Sequence, residues 1–192
     1  MIQPARSHAP RPTALGAWPR WLQLGLAVVF ADILLALSAH VQVPFWPVPM
    51  TLETLVVLAI GAFYAPALAT ATVGAFLLEG LAGLPVFAHG GGPAYLMGPT
   101  GGYLVGYLVA AALLSALTVR GRRRTMPRLL LAMTVADAVV FALGFAWLAL
   151  LIGPDKAWLA GVLPFLPADA LKIVLAAATV RAGDAWMAQR GG

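Results

Sequence analysis

The sequence predicts an all-α integral membrane protein: a bundle of six transmembrane helices with an outward-facing ligand pocket and both termini cytoplasmic. Three observations lead there. Of the 192 residues, 61% are hydrophobic and only 10% charged, whereas soluble domains carry about 25% charged residues. Mean hydropathy is +0.90, and apolar runs recur at lengths near the ~20 residues that cross a bilayer. Finally, ten of the twelve lysines and arginines fall on one side of a six-crossing arrangement, as the enrichment of basic residues in short cytoplasmic loops requires.

Residues 1–20 contain Arg6, Arg11, Arg20 and four prolines. They read as a flexible basic arm with no apolar run ending in a small-residue cleavage site, so the first helix is expected to serve as its own targeting segment. The membrane unit follows over 21–183, with crossings expected at Trp21 to Ala39, Pro49 to Tyr64, Ala65 to Gly83, Gly102 to Val119, Leu129 to Ile152, and Pro167 to Arg181. A tight turn between the second and third belongs near Gly61 to Pro66, where proline cannot continue a regular helix. Residues 184–192 form a cytoplasmic tail. Arg6, Arg11, Arg20, Arg120, Arg122, Arg123, Arg124, Arg128, Arg181 and Arg190 then share the cytoplasmic face, leaving Lys156 and Lys172 outside that set. The net charge of +5 follows from this asymmetry; orientation and anionic-lipid contact explain the arginine cluster at 120–124 better than a polyanion does.

Function is expected in the outer half. Asp169-Ala-Leu-Lys172 sets an acid and a base one helical turn apart, and ionisable groups inside a membrane usually face a cavity or a partner. Pro167 pre-sets the helix entry, which puts Asp169 in the first turn, where the dipole favours negative charge. The competing reading is a helix cap and a self-satisfying ion pair. The first outer loop, 41–51, is held extended by three prolines, and its Phe45 and Trp46 suit either a lid or an interfacial belt. Thr51 can cap the second helix, and Glu53 either complements that helix dipole or points into a pocket. The second outer region, 83–103, has seven glycines in 21 residues. His89 with Gly90, Gly91 and Gly92 reads as a lid or binding loop whose main-chain N–H groups can approach a ligand, while the spacing of Gly98, Gly102 and Gly106 reads as close helix packing. Glu79 faces either the pocket or the bundle. Asp32 and Asp137 are placed deeper, nearer the cytoplasmic half, with structural roles.

Several classes of function drop away. Without cysteine there are no disulfides, thiolate metal sites or catalytic thiols. No Walker sequence is present, so the chain does not itself hydrolyse ATP. His8, His40 and His89 lack metal-ligand spacing, and Ser7, Ser38 and Ser115 form no nucleophile motif. An intramembrane enzyme using the acids is the remaining catalytic alternative.

Four ordered pieces, Val48-Pro-Met-Thr-Leu52, Gly83-Leu-Pro-Val-Phe-Ala88, Gly98-Pro-Thr-Gly-Gly-Tyr103 and Pro164-Phe-Leu-Pro-Ala-Asp-Ala-Leu-Lys172, resemble the BioY biotin transporters, the substrate-binding S components of energy-coupling-factor importers. That resemblance implies high-affinity biotin uptake across the plasma membrane, with no enzymatic activity and no cofactor, biotin being the transported substrate. It also implies a membrane T component and two ATPase subunits as partners, although some BioY proteins support uptake alone. Ala27 and Ala31 are similar to the alanine motif with which S components meet the coupling protein; internal packing is the other reading of their spacing. Asp169 is suited to accept a ureido N–H, and Lys172 to donate to a carbonyl or to pair with the ligand's carboxylate. Glu53 stands where the family often has glutamine. The chain has no arginine from Trp21 through Val119, so the biotin carboxylate must fall to His89, the N–H groups of Gly90 to Gly92, Tyr95, Thr100 or Lys172, with Glu79 and Trp46 as further contacts. A carrier of the same fold for a different vitamin is the nearest rival, because fold does not fix the ligand.

Overall fold

In the computed structural model, which describes residues 18–118 and 124–190, the chain is almost wholly helical. The order is α1 (Arg20–His40), a two-stranded hairpin of β1 (Gln42–Val43) and β2 (Met50–Thr51), α2 (Glu53–Phe63), α3 (Pro66–Leu81), α4 (Pro93–Leu96), α5 (Gly101–Leu117), α6 (Met126–Ile152), α7 (Pro154–Gly161) and α8 (Leu166–Arg190). Of the arm expected at 1–20, residues 1–17 with Arg6 and Arg11 lie outside the described residues, as do the arginines at 120, 122 and 123, while Arg20 opens α1.

Local chemistry explains the boundaries. Pro66 opens α3 where its missing N–H costs nothing, so the turn at Tyr64 and Ala65 falls where the sequence places it. Gly153, with φ of +87°, ends α6 in a conformation that side-chain-bearing residues rarely adopt, and Pro154 opens α7 directly after it. Two differences from expectation share a cause in the loop at 41–51. Met50 and Thr51 pair antiparallel with Val43 and Gln42, so α2 starts at Glu53 and not at Pro49. Thr51 is therefore a strand residue and Leu52 the cap, although the Thr51 hydroxyl oxygen still accepts the Glu53 N–H at 3.4 Å. At the other end α8 runs to Arg190, well past the expected limit at Arg181.

Among the described residues, α1 and α6 are each long and apolar enough to cross a membrane, and α7 with α8, bent by 49°, makes a third candidate. Helices α2, α3 and α5 are apolar but have 11, 16 and 17 residues. At ~1.5 Å per residue these fall short of a hydrocarbon layer of about 30 Å. The polarity of the bundle is nevertheless inverted relative to a soluble protein. Asp32, Glu53, Asp137, Asp169 and Lys172 are buried, while Phe30, Leu131, Leu150 and Leu171 are exposed, Leu150 at 83%. Charges inside and aliphatics outside fit a lipid surround.

Helix α5 lies at the centre, against α2, α3 and α6. Its seam with α6 depends on missing side chains. A Cβ at Gly102 would meet Leu143 O at 2.6 Å, and one at Gly106 would meet Val140 Cα at 2.9 Å; the glycine spacing thus serves close helix packing, as expected. Across the same seam Gly144 makes room for the Tyr103 ring, whose hydroxyl donates to Gly161 O at 2.7 Å and ties α5 to α7. The predicted docking pair behaves differently. Ala31 is 3% exposed within the core and Ala27 is half-buried, its carbonyl accepting the Tyr64 hydroxyl at 2.7 Å. This stripe packs internally, and the exposed face of α1 is formed by Val29, Phe30, Ile33 and Leu37.

Candidate ligand cavity

Asp169 lies in the first turn of α8, its N–H donating to Phe165 O at 2.9 Å. Three residues on, Lys172 projects from the same face and brings Nζ to 2.5 Å from Asp169 Oδ1. The two are 4% and 6% exposed. The contact is a buried ion pair in which the ammonium also serves as a hydrogen-bond donor to the carboxylate. Asp137 on α6 and Glu53 on α2 lie within Coulombic reach of Lys172. Both are buried, and each keeps one carboxylate oxygen without a partner.

Asp169, Lys172 and Glu53 border a cavity of about 500 Å³, counting its open mouth. Val48, Leu104, Val140, Phe141 and Phe165 make its apolar walls; Glu53, Asp169 and Lys172 supply charge; Thr51, Thr54, Tyr95, Thr100, Tyr103 and Tyr107 bring hydroxyls. Apolar walls with a few convergent polar groups are the usual constitution of a small-molecule site. Among the described residues Lys172 is the one lysine or arginine lining it.

The cover of the cavity is built from the glycine-rich region. Phe87 is fully buried over Gly80, where a Cβ would strike its ring. It meets Phe76 edge-on at 5.2 Å and stacks on Tyr95 at 5.0 Å. Tyr95 in α4 is thereby held at the cavity, and burial pushes its phenol above the ordinary range, with Thr100 and the His89 backbone opposing that shift. Trp147 Nε1 donates to Gly98 O at 2.9 Å and Gln42 Nε2 to Ala88 O at 3.2 Å, fastening the region to α6 and to the hairpin.

Of the residues singled out in the sequence, Asp169, Lys172, Tyr95 and Thr100 converge on the cavity. Others do not. His89 is exposed and does not line it. The N–H of Gly90 donates to Phe87 O and that of Gly92 to Gly80 O, so neither is free for an anion. The glycine run is required by the backbone instead: Gly90 and Gly92 have φ of +121° and +98°, and a side chain on Gly91 would collide with Leu84 O. Trp46 is 85% exposed and borders a separate groove with Lys156 and Leu159, whereas its neighbour Phe45 packs on the cavity wall at Phe165, 5.9 Å away. Glu79 approaches Asp32 across the α1–α3 contact. That places Asp32 level with the last turn of α3. Sequence reasoning missed Thr54, Tyr103 and Tyr107; the i, i+4 spacing of the two tyrosines on α5 was a usable signal.

A sequence model described as the BioY family matches residues 15–189. A probable biotin transporter BioY of Pyrococcus horikoshii is 33% identical over 155 residues, covering 80% of this chain and 91% of that protein. A biotin transporter BioY of Rhizobium etli is 34% identical over 171 residues, covering 83% and 91%. Among solved structures, the S-component for biotin from an ECF-type ABC transporter superposes with a TM-score of 0.71 at 26% identity, over 84% of this chain and 90% of that one.

Proposed function

The chain belongs to the BioY family, and from that membership and the chemistry of the cavity we propose that it captures biotin as the S component of an energy-coupling-factor importer. The observation that carries the reading is the buried Asp169–Lys172 pair at the cavity wall. A cyclic urea presents two N–H donors and one carbonyl acceptor. Asp169 offers carboxylate acceptor capacity beyond its contact with Lys172, and Lys172 offers donors beyond that contact. Hydrogen bonds to charged partners in a low-dielectric site are stronger than neutral ones. Val140, Phe141 and Phe165 suit the sulfur-containing ring and the alkyl chain, and Tyr95 and Thr100 are suited to the carboxylate end.

The helices cross the plasma membrane six times in this reading, the short α2, α3 and α5 being completed by the hairpin and the glycine-rich cover on the outer side. Both chain ends then face the cytoplasm, with 21–183 as the membrane unit. In support, Arg124 before α6 contacts Asp184 near the end of α8 at 3.5 Å, and Arg181 Nη1 donates to Arg124 O at 3.0 Å. The start of α6 and the C-terminal part of α8 therefore share one end of the bundle, in keeping with the arginine distribution. A membrane T component and two ATPase subunits supply the energy for reorientation, biotin is the cargo, and no catalytic step falls to this chain.

Titrating biotin into the purified full chain in detergent tests the proposal. Tight saturable binding that weakens at least tenfold in Asp169→Asn is expected. Absence of biotin binding refutes it, and tight binding of a different vitamin in its place leaves the same fold with another cargo.

A further inference from the structure

Matching donors with acceptors leaves one unpaired group on each side. Asp169 and Lys172 account for one N–H and the carbonyl of a cyclic urea, leaving the second ring N–H without a charged acceptor. The protein has a matching vacancy. Glu53 lines the same cavity from α2, is 5% exposed, and has its Oε2 held by the Thr51 hydroxyl at 2.7 Å, while Oε1 is buried without a partner. Glu53 stands on a different helix from Asp169, α2 packing against α8, and it lies within Coulombic reach of Lys172. Two ring N–H groups diverge to either side of their carbonyl; a lysine between carboxylates on two different helices is the matching arrangement. Leaving a buried donor and a buried acceptor both unsatisfied is more costly than any arrangement that joins them.

We propose that Glu53 is a ligand-binding residue of this cavity, accepting through Oε1 the ureido N–H that Asp169 does not take, so that the site reads all three polar groups of the ring with three charged side chains. The Thr51 hydroxyl holds the carboxylate through Oε2, which leaves Oε1 without a partner in a residue that lines the cavity. The inference rests on the biotin reading above and adds to it a specific demand on the ligand: both ring nitrogens must carry hydrogen. A site with only Asp169 and Lys172 makes that demand at one nitrogen.

The test pairs protein variants with ring analogues in which one or the other N–H is replaced by oxygen, giving the two cyclic carbamates of nearly unchanged shape. Affinities of biotin and both carbamates are measured by titration in detergent for the wild-type chain, Glu53→Leu and Glu53→Gln. Glu53→Leu is expected to weaken biotin about ten- to a hundredfold. It should not weaken, and should improve, the carbamate whose oxygen faces position 53, because that oxygen opposes the carboxylate in the wild-type protein. Glu53→Gln, which keeps shape and adds an amide donor, is expected to raise the affinity for that carbamate relative to biotin, and it carries the test if Glu53→Leu does not fold. Equal weakening of all three ligands would assign Glu53 to the fold alone and overturn the proposal, as would unchanged biotin affinity in both variants. A wild-type chain that binds no biotin refutes the cargo assignment itself and this inference with it, an outcome distinct from the other two.

Discussion

Removing Lys172 is expected to damage the ligand-free protein far more than removing its partner Asp169. The structure sets one buried ammonium among three buried carboxylates: Asp169 in contact at 2.5 Å, with Glu53 and Asp137 within Coulombic reach. Taking one member from a buried pair costs about 3–5 kcal/mol, because the other is left uncompensated. Lys172→Met preserves length and leaves all three acids without their cation, so it incurs that full penalty. Asp169→Asn preserves shape and leaves Lys172 with Glu53 and Asp137, so only a charge-assisted contact is lost, about 1.5–3 kcal/mol. The difference, about 2 kcal/mol, is roughly thirtyfold in the folding equilibrium. Denaturant unfolding in detergent, followed by tryptophan fluorescence at one fixed pH and without biotin, measures it directly. Equal losses in the two variants, or a larger loss in Asp169→Asn, would refute the idea of a lysine shared among three carboxylates and reduce the cluster to an isolated pair.

Other substitutions probe the frame around the site. Gly106→Ala places a Cβ at 2.9 Å from Val140 Cα and should cost about 1–3 kcal/mol by prising α5 from α6, while Gly25→Ala on α1, with nothing within 4 Å, should be neutral or slightly stabilising; thermal unfolding in detergent compares them. Phe87→Ala removes the fully buried ring that holds the cover between Phe76 and Tyr95, at about 3–5 kcal/mol, and should speed both proteolysis within 83–98 and biotin dissociation. Ala31→Leu is expected to lower thermal stability together with uptake, since Ala31 is buried in the core; normal stability with lost uptake would return it to a docking role.

What the sequence could reveal depended on whether a feature is local. The Asp169–Lys172 spacing, the Pro66 turn and the Gly102–Gly106 seam each follow from residues within one or two turns, and each stands where it was expected. Features that need a partner distant in the chain were hidden. The hairpin joins Gln42 to Thr51 through two-residue strands in a proline-rich loop, which no periodicity marks. Nothing in the order Phe45, Trp46 says which ring turns inward; that is settled by Phe165, far along the chain. The glycine run at 90–92 is ambiguous for a different reason. Glycine serves both for exposing N–H groups and for reaching positive φ, and only the hydrogen bonds to Phe87 and Gly80 decide in favour of the second.

The two acids that line the cavity share a position that helps to explain how the bundle tolerates them. Glu53 and Asp169 each occupy the first turn of a helix, α2 and α8, so both N-terminal dipole ends are directed toward the same cavity. Such placement stabilises a carboxylate by about 0.3–1 kcal/mol, up to ~2 kcal/mol when partly buried. Desolvation costs several kcal/mol per ion, so the dipoles alone leave a deficit at both residues. Lys172 offsets part of it, but one ammonium cannot sit at contact distance from every carboxylate, and it sits on Asp169. Of the two acids lining the cavity, Glu53 therefore keeps the larger deficit, at its unpartnered Oε1. A neutral ligand with a hydrogen-bond donor there relieves it without introducing charge, whereas an acceptor adds to it. Under the biotin reading proposed above, the uneven sharing of Lys172 favours a ligand whose donor-rich ring is seated among the acids.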